Sequence, residues 1–154
     1  MSKIESRLAA LGIKLPALVA PLANYLPSTR SGDIVQISGQ LSINADGGIK
    51  GSVGADCSLA DGIIAARLCA INLVAQFKAA AGGDLDRIAK VLRLGGYVQA
   101  GPDFYDIPTV MNGCSDLIVD VFGEVGKHAR SAIGVYRLPM KFAVEVDAIV
   151  EIAH

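Results

Sequence analysis

The chain has 154 residues, enough for one domain around a single core, and a net charge of −1 with no basic run. That argues against a dedicated nucleic-acid surface, whose affinity comes mostly from clustered Lys and Arg. Only 19% of residues are charged against 52% hydrophobic, a shortage of polar cover that predicts burial of surface between copies of the chain.

Ser2-Lys3-Ile4-Glu5 has the S-x-x-E form of a capping box, and Ile4, Leu8 and Leu11 share one helical face. The spacing predicts a short helix ended by Gly12, and we take residues 1–15 as a helical segment packed on a single domain of residues 16–154. Pro16 and Pro21 mark an extended connector. Tyr25-Leu26 and Ile34–Ser38 read as two strands around the turn Arg30-Ser31-Gly32-Asp33. Ser38-Gly39-Gln40 then breaks the apolar pattern; the small residues suit either a bulge or the close approach of a ligand or another backbone. Asn44 to Gly48 is a turn, and Ile49 resumes an extended course.

Ser58 to Ala81 is the clearest helix. Ser58 caps it, Asp61 lies in its first turn, Ile63, Ala66, Ala70, Leu73 and Phe77 keep near 3.6-residue spacing, and Gly82-Gly83 ends it. Its apolar heart, Leu68–Phe77, is too short for a bilayer and contains Asn72 and Gln76. Ile88 to Gln99 is a strand region with a bend expected at Gly95-Gly96. A second helix starts at Asp106-Ile107-Pro108, with Val110, Leu117, Ile118 and Val121 as its apolar stripe. Asn112 sits early in it, where a solvated or capping amide is the ordinary role.

The stretch His128–Val150 holds the most chemistry. Ala132–Tyr136 has strand character, Leu138-Pro139-Met140-Lys141 interrupts it, and Ala143–Val150 alternates. Val144, Val146, Ala148 and Val150 point one way, and Glu145, Asp147 and Ile149 the other. Two terminal strands pairing antiparallel would place one cation, Arg130, within reach of two acids. A guanidinium fork fits a carboxylate bidentately, and a nearby acid can move a proton. The alternative is a structural Glu145–Arg130 pair across the hairpin. His128 reads as a loop residue without an acid or metal partner.

Helices joined to strands by short loops indicate a two-layer α+β domain, its sheet covered on one face by two helices and its other face left for a partner. Cys57, Cys69 and Cys114 form no CxxC pair and read as free thiols in a reducing compartment; no secretory leader is evident, so a cytoplasmic setting is expected. With two histidines and no Cys/His spacing, no metal site is expected. G-x-G-x-x-G, G-x-x-x-x-G-K-[ST] and G-x-S-x-G are absent, which removes support for nucleotide cradling and for a Ser–His nucleophile.

Pro21, Tyr25 and then Ser38-Gly39-Gln40 resemble the N-terminal motif of the reactive-intermediate deaminase (RidA/YjgF) family, formerly called the endoribonuclease L-PSP family. Ala129-Arg130-Ser131, Leu138-Pro139 and Val144-Glu145-Val146 with Ala148-Ile149 resemble its more specific C-terminal signature. Ala132 stands where the family often has Cys, Leu26-Pro27 where it often has Ser-Gln, and the opening helix is additional; the likeness is to a divergent branch.

The resemblance implies a chorismate-mutase-like fold assembled as a homotrimer around a central barrel, with clefts between subunits. It implies hydrolysis of 2-enamine or 2-imine acids to 2-keto acids and ammonia, without a cofactor; the charge and the short apolar stretch, for their part, leave neither nucleic acid nor membrane as an expected partner. Carried over by position, Arg130 would clamp the substrate carboxylate, Tyr25 would line the cleft, and Ser38 and Gly39 would meet the substrate near its carboxylate or carbonyl. Asn112 falls near a family Asn, one residue out of register with Arg130, and Glu145 would orient or activate the attacking water. Without turnover, the same cleft would serve a small-acid binder or sensor. A ribonuclease or translation-inhibitor activity, a label carried by parts of the family, is opposed by the near-neutral charge and the lack of a His pair.

Overall fold

The computed structural model describes residues 2–21 and 23–154. Ser2 caps helix α1 (Lys3–Ala10), its side chain accepting from the Glu5 N–H. Glu5 does not return the bond as a capping box would; it pairs with Lys78 instead. The Asp86 carboxylate also caps α1, taking the Lys3 and Ile4 N–H groups at 2.9 Å each. Ile4 and Leu8 turn into the core, and Gly12 ends the segment at φ 69°.

Strands β1 (Ser28–Ser31) and β2 (Ile34–Leu41) follow, joined by Gly32-Asp33 alone. The first strand therefore lies later than Tyr25-Leu26, and Arg30 and Ser31 belong to it rather than to the turn. The reason is Pro27, which has no N–H and restricts the residue before it, so pairing begins one residue beyond. β2 does not stop at Ser38; it runs to Leu41 with a bulge between Ile37 and Gln40.

Helix α2 (Leu59–Ala80) leads to β3 (Ile88–Gln99), and helix α3 (Ile107–Phe122) leads to β4 (Ala129–Val135). A one-turn 3-10 helix, Pro139–Lys141, precedes β5 (Val144–Ile152). By length and composition α2 could cross a membrane, yet it is the central core helix: Ala65, Ala66, Cys69, Ala70, Leu73 and Phe77 are fully buried. The sheet order is β1-β2-β5-β3-β4, with every pairing antiparallel except β3 with β4, which is parallel. The terminal strands are thus not a hairpin, because β3 lies between them. Nor does β3 bend at Gly95-Gly96. It passes straight through both, which lack side chains because a Cβ would lie 2.5 Å from an Asp147 oxygen or 2.4 Å from the Met111 sulfur.

Both α2 and α3 cover one sheet face, where Val91, Leu94, Val98, Val144, Val146 and Val150 meet them. The alternation along β5 is complete: Val144, Val146, Ala148, Val150 and Ile152 are buried and the residues between them half-buried. No described element covers the opposite face.

Candidate functional site

Arg130 lies on β4 directly opposite Leu94 of β3, and so on the helix-covered face, at the sheet edge. Its Nη1 donates to Asn112 Oδ1 at 2.9 Å and to Ser115 Oγ at 3.2 Å. Asn112 and Ser115 are three apart on α3 and therefore neighbours on one helical face. Asn112 is thus the partner of a cation rather than a free amide. Ser115 Oγ is also 2.9 Å from His128 Nε2, and His128 Nδ1 is 2.6 Å from the Gly126 carbonyl. His128 is thus a loop residue without an acid or metal partner, as expected, but its ring is held by a hydroxyl and a carbonyl. Burial holds its ring below the ordinary histidine range, opposed by the bond to Gly126 and helped by the Arg130 and Lys90 charges. Cys114, next to this cluster, is fully buried and its thiol is pushed up to about 12, so it stays neutral and packs.

Glu145 is elsewhere. It lies opposite Tyr97 on the uncovered face, beside Asp147, whose Oδ2 accepts the Tyr97 hydroxyl at 3.1 Å. Burial first, and the Asp147 carboxylate second, push the Glu145 carboxyl above the usual carboxylate range. The bulge in β2 brings Gly39 against it: a Cβ there would stand 2.7 Å from Glu145 Oε2. The Ser38 N–H and hydroxyl donate to the Pro27 and Leu26 carbonyls at 3.0 and 2.6 Å. Ser38 thereby ties the 25–27 segment to the bulge, with Tyr25 exposed at its start. An open concavity of about 300 Å³ beside the bulge is lined by residues that include Thr29, Gln36, Ser38, Gly39 and Asp147.

The expected residues therefore form two groups. Arg130 and Asn112 make one, at the β4 edge on the helix side. Glu145, Gly39 and Ser38, with Tyr25 near them, make the other, on and beside the open face. Between Ser38 on β2 and Arg130 on β4 lie three strand spacings, roughly 14 Å, and the thickness of the sheet. A Glu145–Arg130 pair within one chain is ruled out, because the two side chains leave opposite faces. Ser115 and His128 were not expected at the site; the i, i+3 spacing of Asn112 and Ser115 was the available signal. Among the described residues no group of three or more His, Cys, Asp or Glu side chains could hold a metal.

The family described as "YjgF/chorismate mutase-like, putative endoribonuclease" matches residues 5–151. Protein TCP17 of Trypanosoma cruzi is 48% identical over 152 residues, covering 97% of this chain and 94% of its own. The crystal structure of Atu1372 from Agrobacterium tumefaciens, described as of unknown function, is 47% identical with a TM-score of 0.91, covering 98% of this chain and 94% of that one. A protein of Shewanella oneidensis described as a putative endoribonuclease is 34% identical with a TM-score of 0.93, covering 98% and 100%.

Proposed function

The chain belongs to the YjgF/chorismate mutase-like family, and on that premise we propose that it hydrolyses reactive 2-imine and 2-enamine acids to 2-keto acids and ammonia. The observation that carries the reading is Arg130, held by Asn112 and Ser115 through Nη1 alone. Among the described residues nothing engages its Nη2 or Nε, so one edge of the guanidinium is free to take a carboxylate with two parallel hydrogen bonds. Such a charge-assisted contact contributes about 1.5–3 kcal/mol.

The reaction needs little beyond placement. An imine carbon is already electrophilic, and most of the barrier is removed by holding it still beside a water. Glu145, with its raised proton affinity, takes a proton from that water as the C–O bond forms and passes it to the nitrogen; the hydroxyl proton of the resulting carbinolamine follows the same route as the C=O bond forms, the C–N bond breaks and ammonia leaves. The chemistry calls for no cofactor. Since Arg130 and Glu145 leave opposite faces of one sheet, the site we propose is shared: Arg130 of one copy meets Glu145, Gly39, Ser38 and Tyr25 of the next, in a cyclic homotrimer.

The test generates the imine in place with an amino-acid oxidase and follows its disappearance and the release of ammonia. The wild-type chain accelerates both, and Arg130→Ala lowers kcat/KM about 10- to 150-fold, the equivalent of the lost pair. A wild-type rate equal to buffer ends the enzyme reading. The non-catalytic alternative then predicts an Arg130-dependent thermal shift with a 2-keto acid. RNA cleavage that survives repeated purification would favour the activity in the relatives' descriptions instead.

A further inference from the structure

We propose that Ser115 and His128 are positioning residues that fix the Arg130 guanidinium with its Nη2–Nε edge presented to the substrate carboxylate, a role that rests on the reading of Arg130 given above. The Gly126 carbonyl can only accept, so the nitrogen 2.6 Å from it, His128 Nδ1, carries the ring hydrogen. In the neutral imidazole Nε2 is then bare and accepts, and the group 2.9 Å away is the Ser115 hydroxyl, which donates its single proton there. With that proton committed, Ser115 Oγ turns lone pairs toward Arg130 Nη1 at 3.2 Å. Asn112 Oδ1 takes the other Nη1 hydrogen at 2.9 Å.

Both hydrogens of Nη1 are thus used, and the three remaining N–H groups of the guanidinium lie on Nη2 and Nε. A freely rotating Arg offers two edges to an anion, Nη1–Nη2 and Nη2–Nε, because Cδ occupies the side of Nε next to Nη1. This one offers the edge opposite its helix contacts. Without His128 as acceptor, the Ser115 proton would be free to point at Nη1 and repel it. The surroundings favour the neutral ring that the relay requires. Burial opposes the charged form, as do Arg130 on β4 just after it and Lys90 on β3, while Cys114 on α3 is neutral.

The experiment titrates the full-length protein with pyruvate and with the uncharged pyruvamide, in wild type and in Ser115→Ala, Ser115→Thr, His128→Leu, His128→Gln and Arg130→Ala. Ser115→Ala and His128→Leu weaken pyruvate roughly 3- to 10-fold, the loss expected for one hydrogen bond, and leave pyruvamide unchanged. Ser115→Thr keeps the hydroxyl and His128→Gln keeps an acceptor, so both return pyruvate affinity to within about twofold of wild type. In turnover the loss falls on KM, with kcat nearly constant. If Ser115→Ala and His128→Leu bind pyruvate as wild type does while Arg130→Ala does not, the relay is wrong and Arg130 stands as the anchor. If Arg130→Ala binds as wild type, or wild type does not bind at all, the reading of Arg130 falls and the relay's purpose falls with it. Nitrogen-15 spectra of the His128 ring, with no ligand, give a separate check. Protonated Nδ1 and bare Nε2, with Nε2 shifting in Ser115→Ala, support the relay; the opposite tautomer overturns it.

Discussion

The surroundings of Glu145 oppose its ionisation, first through burial and then through Asp147. A carboxyl whose folded-state pKa is raised contributes stability that is fully present below the unfolded value, about 4.3 for Glu, and is lost as pH rises through the folded one. Glu145→Gln removes the charge and keeps the shape. Its melting temperature should therefore exceed wild type at neutral pH, and the gap should close as pH falls to about 4. A gap of constant size across that range would show that burial of the charge is not its cause. The same variant should lose roughly 10²-fold or more in imine hydrolysis, as general acid–base groups do. Arg130 and Glu145 could be picked out as candidates because they sit in a specific signature, and Gly39 because an interrupted strand pattern announces a bulge. Ser115 and His128 were not legible in this way. A Ser on a 16-residue helix and a His before a strand have no pattern of their own; what joins them is the approach of α3 to β4, which periodicity does not encode.

That approach depends on how closely α2 and α3 pack, and one residue sets the limit. A Cβ on Gly113 would lie 2.2 Å from the Ile63 carbonyl oxygen, which is backbone and cannot rotate away. Gly113→Ala must push the helices apart, and overpacking of this kind costs about 1–3 kcal/mol even after Ala's better helix propensity is counted. For a domain of this size each kcal/mol lowers the melting temperature by roughly 2–4 °C. An unchanged melting temperature in Gly113→Ala would mean that the helices are not in contact there. Because Asn112 flanks Gly113 and Ser115 follows, the variant should also weaken a keto acid that Arg130 anchors. Both helices were legible from their caps and their 3.6-residue stripes. Strand pairing was misread at the C-terminus, although a usable signal was present. A helix that joins two strands is a crossover, and crossovers make parallel neighbours. α3 joins β3 to β4, so β4 belonged beside β3, and β5 had to find another place.

The misplaced strand decides how the whole molecule can work. Had β4 and β5 formed a hairpin, one chain could have brought Arg130 to Glu145; with β3 between them it cannot. The uncovered sheet face carries Ile34, Ile133, Ile149 and the half-buried Glu145, a mixture that solvent covers poorly and another copy could cover. Composition had pointed the same way through its low charge, without saying which surface was involved. A shared site makes a prediction that a site within one chain does not. Arg130→Ala and Glu145→Gln chains should each be nearly inactive alone. Refolded together in equal amounts, they assort at random around a ring, and a site is intact only when its Arg130 comes from one variant and its Glu145 from the other. Each condition holds half the time, so about one quarter of the wild-type sites should recover. Activity is measured on the mixture before and after co-refolding, with particle mass from light scattering as the control. Recovery near a quarter requires that neighbouring copies complete each other's sites. No recovery, in a mixture that has re-formed oligomers, would mean that Arg130 and Glu145 do not serve one substrate.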